Sequence, residues 1–332
     1  MTPTVDVALF VRNGEATIAA AIESVLAQSW PALTLTVLDN ASTDRTVEIV
    51  RHYGDALRLL RAPVDIGLTA NCERAFACGA AEFVMPKTAD DLLAPDFVAQ
   101  AMAVLRAYPE CAMCHAGGLV FGGDGVVQSV YPATHRLHAV GPDRLARARS
   151  VMTRYTSAPS FWGVYRRAAV AQLARFRPTA GWDHAALAEL ALYGEIRHVP
   201  ELLYLRRDPG KPVRRIARAM TEAAQRGLPL DDSIAELRWM VPLITTAYAH
   251  VETFAVARLP AAERAQLMHD APRIFRTRWR ELLLQEAAQF RAALPHLLDG
   301  ADGWRRRQVA EVLAMIAAVL PEELAQVGPG RR

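Results

Sequence analysis

The sequence has no run long enough to span a membrane. No apolar stretch in its 332 residues approaches the roughly 18 that a bilayer crossing needs, and the longest, Val312 to Leu320, suits a buried helix. The opening MTPTVDVALF lacks the basic region, long apolar core and cleavage site of an export signal, so a soluble cytoplasmic protein is expected. Charge of one sign is not in excess either: 38 Lys and Arg stand against 35 Asp and Glu, a formal +3. That is too little to argue for a nucleic-acid partner. No internal repeat of the helical-array kind is present. Cysteine is scarce, with four residues, Cys72, Cys78, Cys111 and Cys114. The last two stand in CAMCH, formally a haem-attachment pattern, but that chemistry needs export. A zinc site would need a second ligand pair at matching spacing, and none stands there. The segment ECAMCHAGGLVF instead alternates as a strand does, with Cys111, Met113 and His115 on one face and Ala112, Cys114 and Ala116 on the other. Free cysteine packs there as a small hydrophobe.

What is present is an ordinary globular composition, 52% hydrophobic and 22% charged, in a chain long enough for two domains. The first half alternates between two periodicities. VDVALFV (5–11), LTLTVLD (33–39), LRLLRAP (57–63) and EFVMP (82–86) are short, apolar and rich in β-branched residues, as strands are. Between them, 15–30, 42–54 and 69–80 carry apolar residues at helical spacing, with Ile18, Ile22, Val25 and Leu26 on one face of the first. Ser and Thr open the second of these helices and glycine closes it. Strand–helix alternation with short links predicts a parallel sheet with helices on both faces, and ligands then bind beyond the carboxyl ends of the strands. Those ends carry Arg12-Asn13-Gly14, Asp39-Asn40, Asp65-Ile66-Gly67 and Thr88-Ala89-Asp90-Asp91. Any one of them reads as a turn or a helix cap; four on one edge read as a site. Asp44 falls in the first turn of a helix and is left to capping.

The second half is less regular. Residues 96–109 form a helix, 121–132 a hairpin around FGGDG, and 141–152 a basic helix. A small-residue loop over 157–170 leads into a strand and a helix. GWDHAALAELALYG is a helix with Asp183 at its start, and EIRHVPELLYLRR (195–207) is a pair of short strands. From Val213 on, helices are expected over 213–226, 231–258 with a kink at Pro242, 260–271, 272–293 and 303–319. The tail VGPGRR is expected to fray.

Three stretches of the chain resemble a known family. NGEATIAAAIESVLAQSWPALTLTVLDNASTDRTVEIV, DIGLTANCERAFACGAAEFVMPKTADDLLAPDF and GWDHAALAELALYGEIRHVPELLYLRR resemble, in order and spacing, the family 2 glycosyltransferases of the GT-A fold, from about Val5 to Arg207. The resemblance implies a GT-A catalytic domain over 1–212, with a nucleotide-binding half (1–95) and an acceptor half (96–212), followed by a C-terminal helical region (213–332) that it does not cover. It implies inverting transfer of a sugar from a nucleotide-sugar, UDP-linked before dTDP-linked. The implied nucleotide pocket is Phe10, Arg12, Asn13, Glu15, Asp39, Asp65, Gly67, Asn71, Thr88, Ala89 and Asp90, with Trp182, Arg206 and Arg207 beside it. Asp39 stands where the family's acid accepts from the nucleobase imide, whose N–H a carboxylate can take.

Asp90 matches the last acid of the family's Asp-x-Asp, which binds the Mn²⁺ or Mg²⁺ that bridges the diphosphate. Its bland reading, with Asp91, is a helix cap. The first acid of that triplet is Thr88 here, a hydroxyl still able to reach a ribose. Asp183, in Gly181-Trp182-Asp183, matches the general base that takes the acceptor's proton; an N-cap reading fits it equally on sequence. Trp182 stacks on a sugar or merely packs. LRRDPGKPVRR departs from the pattern by lacking the histidine that completes the metal site in many relatives. Asp208 is a substitute oxygen ligand, or Arg206, Arg207 and Lys211 offset the diphosphate directly. Two other function classes stand beside this one. One is a catalytically degenerate member that binds nucleotide-sugar or acts as a scaffold. The other is a nucleotidyltransferase, which FVRNGEAT fits poorly because it lacks a Gly-rich basic loop. The acceptor stays open between glycan, lipid, peptide and small metabolite. The apolar faces of the C-terminal helices are expected to pack on the core, line an acceptor cleft or pair in a homodimer.

Overall fold

The structure, a computed structural model, describes residues 2–132, 136–154, 158–208 and 237–321. The chain divides into two compact units, one of Met1–Pro178 and Ala186–Asp208, the other of Thr179–Ala185 and Pro209–Arg332. The stretch Thr179–Ala185, which the sequence assigns to the catalytic domain, thus groups with the C-terminal region.

In the first unit β1 (Val5–Val11), β2 (Leu33–Asp39), β3 (Arg58–Arg61) and β4 (Phe83–Thr88) alternate with α1 (Ile18–Leu26), α2 (Thr46–Arg51) and α3 (Leu68–Ala77). β1 pairs in parallel with both β2 and β4, and β2 with β3. All seven residues of β1 are buried, as expected of a central strand covered on both faces. Among the described residues the sheet has nine strands in the order β3-β2-β1-β4-β8-β6-β9-β5, with β7 beside β6. Its second half is mixed rather than parallel. β8 (Gly163–Arg166) runs antiparallel to β4 and to β6 (Cys111–Phe121). β9 (Glu195–Arg207) lies parallel to β6, while β5 (Leu92–Leu93) and β7 (Val127–Val130) pair antiparallel with β9 and β6. The strand order reverses between β1 and β4, which opens a crevice at their carboxyl ends.

Helices α4 (Phe97–Ala107), α5 (Arg144–Thr153) and α6 (Arg167–Val170) follow the sequence reading. α1 and α2 are shorter than expected at their starts, because residues 15–17 and 42–45 are used in the loops described below. The pair of short strands expected over 195–207 is one strand of 13 residues. Its register against β6 slips where Val199 faces Ala116 and Leu202 faces Gly117, so Pro200 and Glu201 bulge out without ending the strand.

α7 (Trp182–Tyr193) begins in the second unit, which also holds α8 (Pro242–Val256), α9 (Ala261–Leu298) and α10 (Gly303–Val319). Pro242 does not kink a helix: it is the first residue of α8, where its missing N–H costs nothing. The break expected at 271/272 is also displaced. α9 runs through Pro272 and departs from helical geometry at Trp279 (φ −131°, ψ 30°). Of the apolar faces expected to pack on the core, line a cleft or pair in a homodimer, Leu243, Ile244, Ala247 and Phe254 of α8 and Val312, Met315, Ile316 and Val319 of α10 are buried. The helix expected over 213–226, the start of 231–258, Lys211 and the tail lie outside the described residues. Among the described residues no helix is long and apolar enough to cross a membrane.

Candidate active site

Two loops form the floor at the carboxyl edge. After β1 the chain turns through Asn13 in the left-handed region (φ 52°), which asparagine tolerates better than most residues. The loop is tied to the one after β2. Asn13 N–H donates to Ser42 Oγ (2.9 Å), Gly14 N–H to Thr46 Oγ1 (2.8 Å) and Glu15 N–H to Asp44 Oδ2 (3.0 Å). In return Thr43 N–H donates to Asn13 Oδ1 (2.9 Å) and Arg45 N–H to Glu15 Oε2 (3.1 Å). Glu15 is therefore a strut between loops. Asp44 is both strut and cap, since it also accepts from Thr46 N–H. These hydrogen bonds hold its carboxyl below the usual range although burial acts the other way.

A cavity of about 570 Å³ opens on this floor, lined among others by Phe10, Arg12, Asn13, Asn40, Asp65 and Asp90. Of the residues expected around the nucleotide, Gly67, Asn71, Thr88 and Ala89 also line it, whereas Glu15, Asp39, Trp182, Arg206 and Arg207 are not in its wall. Two carboxylate–guanidinium pairs stand at or beyond the strand ends, and of them only Arg12–Asp65, at one end of the cavity, is in its wall. Asp65 Oδ2 meets Arg12 Nε at 3.2 Å, while its Oδ1 accepts from Asn40 Nδ2 (2.6 Å) and Gly67 N–H (2.9 Å). Asp39 is fully buried at 0% exposure; it accepts from Ser42 N–H (3.2 Å) and from Arg61 Nε (3.0 Å). Asn40 was read at the strand edge, whereas Arg61 was not singled out. Arg61 reads as one more residue of a strand, and only the register that sets it opposite Asp39 reveals the pair. Asn71 Nδ2 donates to Leu38 O (3.2 Å), which fixes α3 to the end of β2.

The other end is the turn after β4. Ala89 is buried and Asp90 is exposed to the cavity. The protein around Asp90 pushes its carboxyl up, as does the charge of Asp91; Lys87, Arg207 and Arg206 pull it back. Asp91 points inward and is spent. Its carboxylate accepts from Thr88 Oγ1 (3.2 Å), the Tyr204 hydroxyl and Arg207 N–H (2.9 Å). Thr88, expected to reach a ribose, turns its hydroxyl to Asp91. Arg206 Nη1 donates to Tyr131 Oη (2.8 Å), and Arg207 lies over the Phe121 ring.

Asp90 is thus the one carboxylate that this turn offers to the cavity, and among the described residues no group of three His, Cys, Asp or Glu could hold a metal. Such a donor set does not fit an ion caged by protein alone. It fits Mg²⁺ or Mn²⁺ that brings diphosphate oxygens and waters as its remaining ligands. Asp208, the substitute for the missing histidine, is exposed, with its N–H on Phe121 O (2.8 Å).

Asp183 opens α7 in the second unit and is half-buried, as is Trp182. Gly181 precedes them at φ 74°. Next to Asp183, His184 Nδ1 meets His250 Nε2 at 3.0 Å, and His250 Nδ1 meets Thr246 O at 2.8 Å. A carbonyl only accepts, so His250 carries its proton on Nδ1, its Nε2 accepts, and His184 is protonated on Nδ1. Burial pushes His250 down to about 4, so the imidazole is neutral.

The family model described as Glycosyl transferase family 2 matches residues 6–173. The glycosyltransferase EpsE of Bacillus subtilis (strain 168) is 30% identical over 128 residues, 37% of this chain and 46% of its own length. The chain therefore spans less than half of that curated relative. Among solved structures, residues 1–349 of S. aureus TarS match at TM-score 0.56 and 16% identity, over 99% of this chain and 93% of that one. The same fragment is known with UDP and with UDP-GlcNAc. The mannosyltransferase PcManGT from Pyrobaculum calidifontis, in complex with GDP-Man and Mn²⁺, matches at TM-score 0.54 and 17% identity, over 99% and 89%. The shared architecture is the GT-A fold.

Proposed function

The chain belongs to glycosyl transferase family 2, and from that membership we propose that it moves a sugar from a nucleoside-diphosphate sugar to a hydroxyl or similar nucleophile of an acceptor, with inversion at the anomeric carbon. The cavity carries the proposal, because its two ends differ as the two ends of such a donor differ. A uracil or thymine edge offers an N–H between two carbonyls. The Asp65 carboxylate beside the Arg12 guanidinium, both in the cavity wall, offers the matching acceptor and donor. We take a UDP-sugar as the first donor and a dTDP-sugar as the second. At the far end, the turn with Asp90 lies among Lys87, Arg206 and Arg207, a positive surround for a diphosphate.

In the transfer, the acceptor oxygen bonds to the anomeric carbon as the bond from that carbon to the diphosphate oxygen breaks. Asp183 accepts the acceptor's proton, and the electron pair leaves with the nucleoside diphosphate. A divalent ion held by Asp90 would supply charge neutralisation on that diphosphate. Arg207 holds the turn in place from β9, through its N–H to Asp91 and its Nε to the Asp90 carbonyl (3.2 Å). A second reading, a binding protein without turnover, draws support from Thr88, whose hydroxyl is engaged by Asp91. Donor hydrolysis separates the two. Asp183→Asn is expected to keep donor affinity while turnover falls by about 10²- to 10⁴-fold. Unchanged turnover in that variant would remove Asp183 from the mechanism, and a wild-type chain that binds but never turns over would leave the second reading.

A further inference from the structure

β4 carries a lysine where its neighbours are apolar. Phe83, Val84 and Met85 are 2%, 0% and 0% exposed, and Lys87 is 1% exposed. Burying an ammonium costs several kcal/mol even after relaxation, and a methionine would occupy similar space without that cost. Where the charge is spent is visible in its partners. Lys87 Nζ donates to the carbonyls of Thr88 (3.0 Å) and Asp91, the two ends of the turn that carries Asp90. Between them, Arg207 Nε takes the Asp90 carbonyl. Three carbonyls of a four-residue turn are thus held by two cations, while the Asp90 carboxylate faces the cavity. Burial pulls Lys87 down to about 8 against the opposing charges of Asp91 and Asp90, so the ammonium persists at neutral pH.

We propose that Lys87 is a positioning residue that presents Asp90 and adds a fixed buried positive charge to the end of the cavity where the donor's diphosphate lies. This rests on the nucleotide-sugar reading above. A lysine made only for packing or turn closure would leave phosphate recognition untouched. A charge acts at a distance and selects for phosphate.

The test is calorimetric titration of the full chain with UDP and, separately, with uridine, which shares the base and ribose and lacks phosphate. In Lys87→Met the dissociation constant for UDP is expected to rise by about tenfold or more while that for uridine changes by less than about twofold. Lys87→Gln keeps an N–H donor without charge and is expected to behave as Lys87→Met; it serves if the methionine variant does not fold. Lys87→Arg keeps the charge and is expected to retain most of the UDP affinity. Equal UDP affinity in the wild type and the neutral variants overturns the assignment, as does a parallel loss of UDP and uridine. A wild-type chain that binds neither compound overturns the nucleotide reading and, with it, the role of Lys87.

Discussion

Asn13, Asp65 and Asp90 line the cavity and, unlike Asn71 inside α3, were legible as candidates because polar side chains at or beyond the ends of apolar strands have few other uses. Lys87 and Arg61 were not, since a basic residue inside a strand reads as a solvated position until pairing shows what it faces. Thr88, expected to reach a ribose, lines the cavity and donates its hydroxyl to the buried Asp91. Gly181 makes the clearest prediction at this scale. It holds φ 74° just before α7, and a Cβ there would come within 2.3 Å of Thr246 Oγ1 and Cγ2. Left-handed backbone and overpacking each cost an alanine, so Gly181→Ala is expected to lose roughly 2–4 kcal/mol of stability, read from the denaturant midpoint at constant slope. An unshifted midpoint would mean that the start of α7 adapts freely.

At the scale of elements, long periodic segments were readable and their ends were not. α1 and α2 start late because Glu15, Ser42 and Asp44 bond across loops instead of capping in place, a choice made by tertiary pairing. The mixed half of the sheet was hidden because β5 is only two residues long and strand direction leaves no local mark. β9 looked like two strands because proline usually interrupts a ladder; here a bulge absorbs it. Proline was over-read twice more. Pro242 starts a helix and Pro272 sits inside one, while the departure from helical geometry falls at Trp279, where no proline or glycine marks it. The cysteine segment is the strand β6; all four cysteines are buried, and burial raises the Cys111 thiol to about 11.

For the whole molecule, both units carry a neutral buried histidine. Burial lowers His115 from 6.5 to about 4, against hydrogen bonds to Leu137 and Ala116 carbonyls that favour its charged form. His250 of the second unit is lowered likewise to about 4. Above pH 6.5 the folded and unfolded chains both keep these rings neutral, and stability is full. As pH falls below 6.5 the unfolded chain takes the protons first. Each histidine then costs up to roughly 3 kcal/mol by the time pH reaches about 4. Denaturant unfolding between those limits is expected to show the decline, and His115→Gln should make it shallower. A slope unchanged in that variant would mean that His115 is protonated within the fold.

Whether the cavity lined by Arg12, Asp65 and Asp90 takes a nucleoside diphosphate is decided by calorimetric titration of UDP into the wild-type chain and Asp65→Ala, with and without Mn²⁺. Saturable one-to-one binding to the wild type is expected, with a loss of at least about tenfold in Asp65→Ala, since that change strips the Arg12 and Asn40 side chains of their shared acceptor. Binding of equal strength in both proteins, or no binding of UDP or dTDP to either, would contradict it.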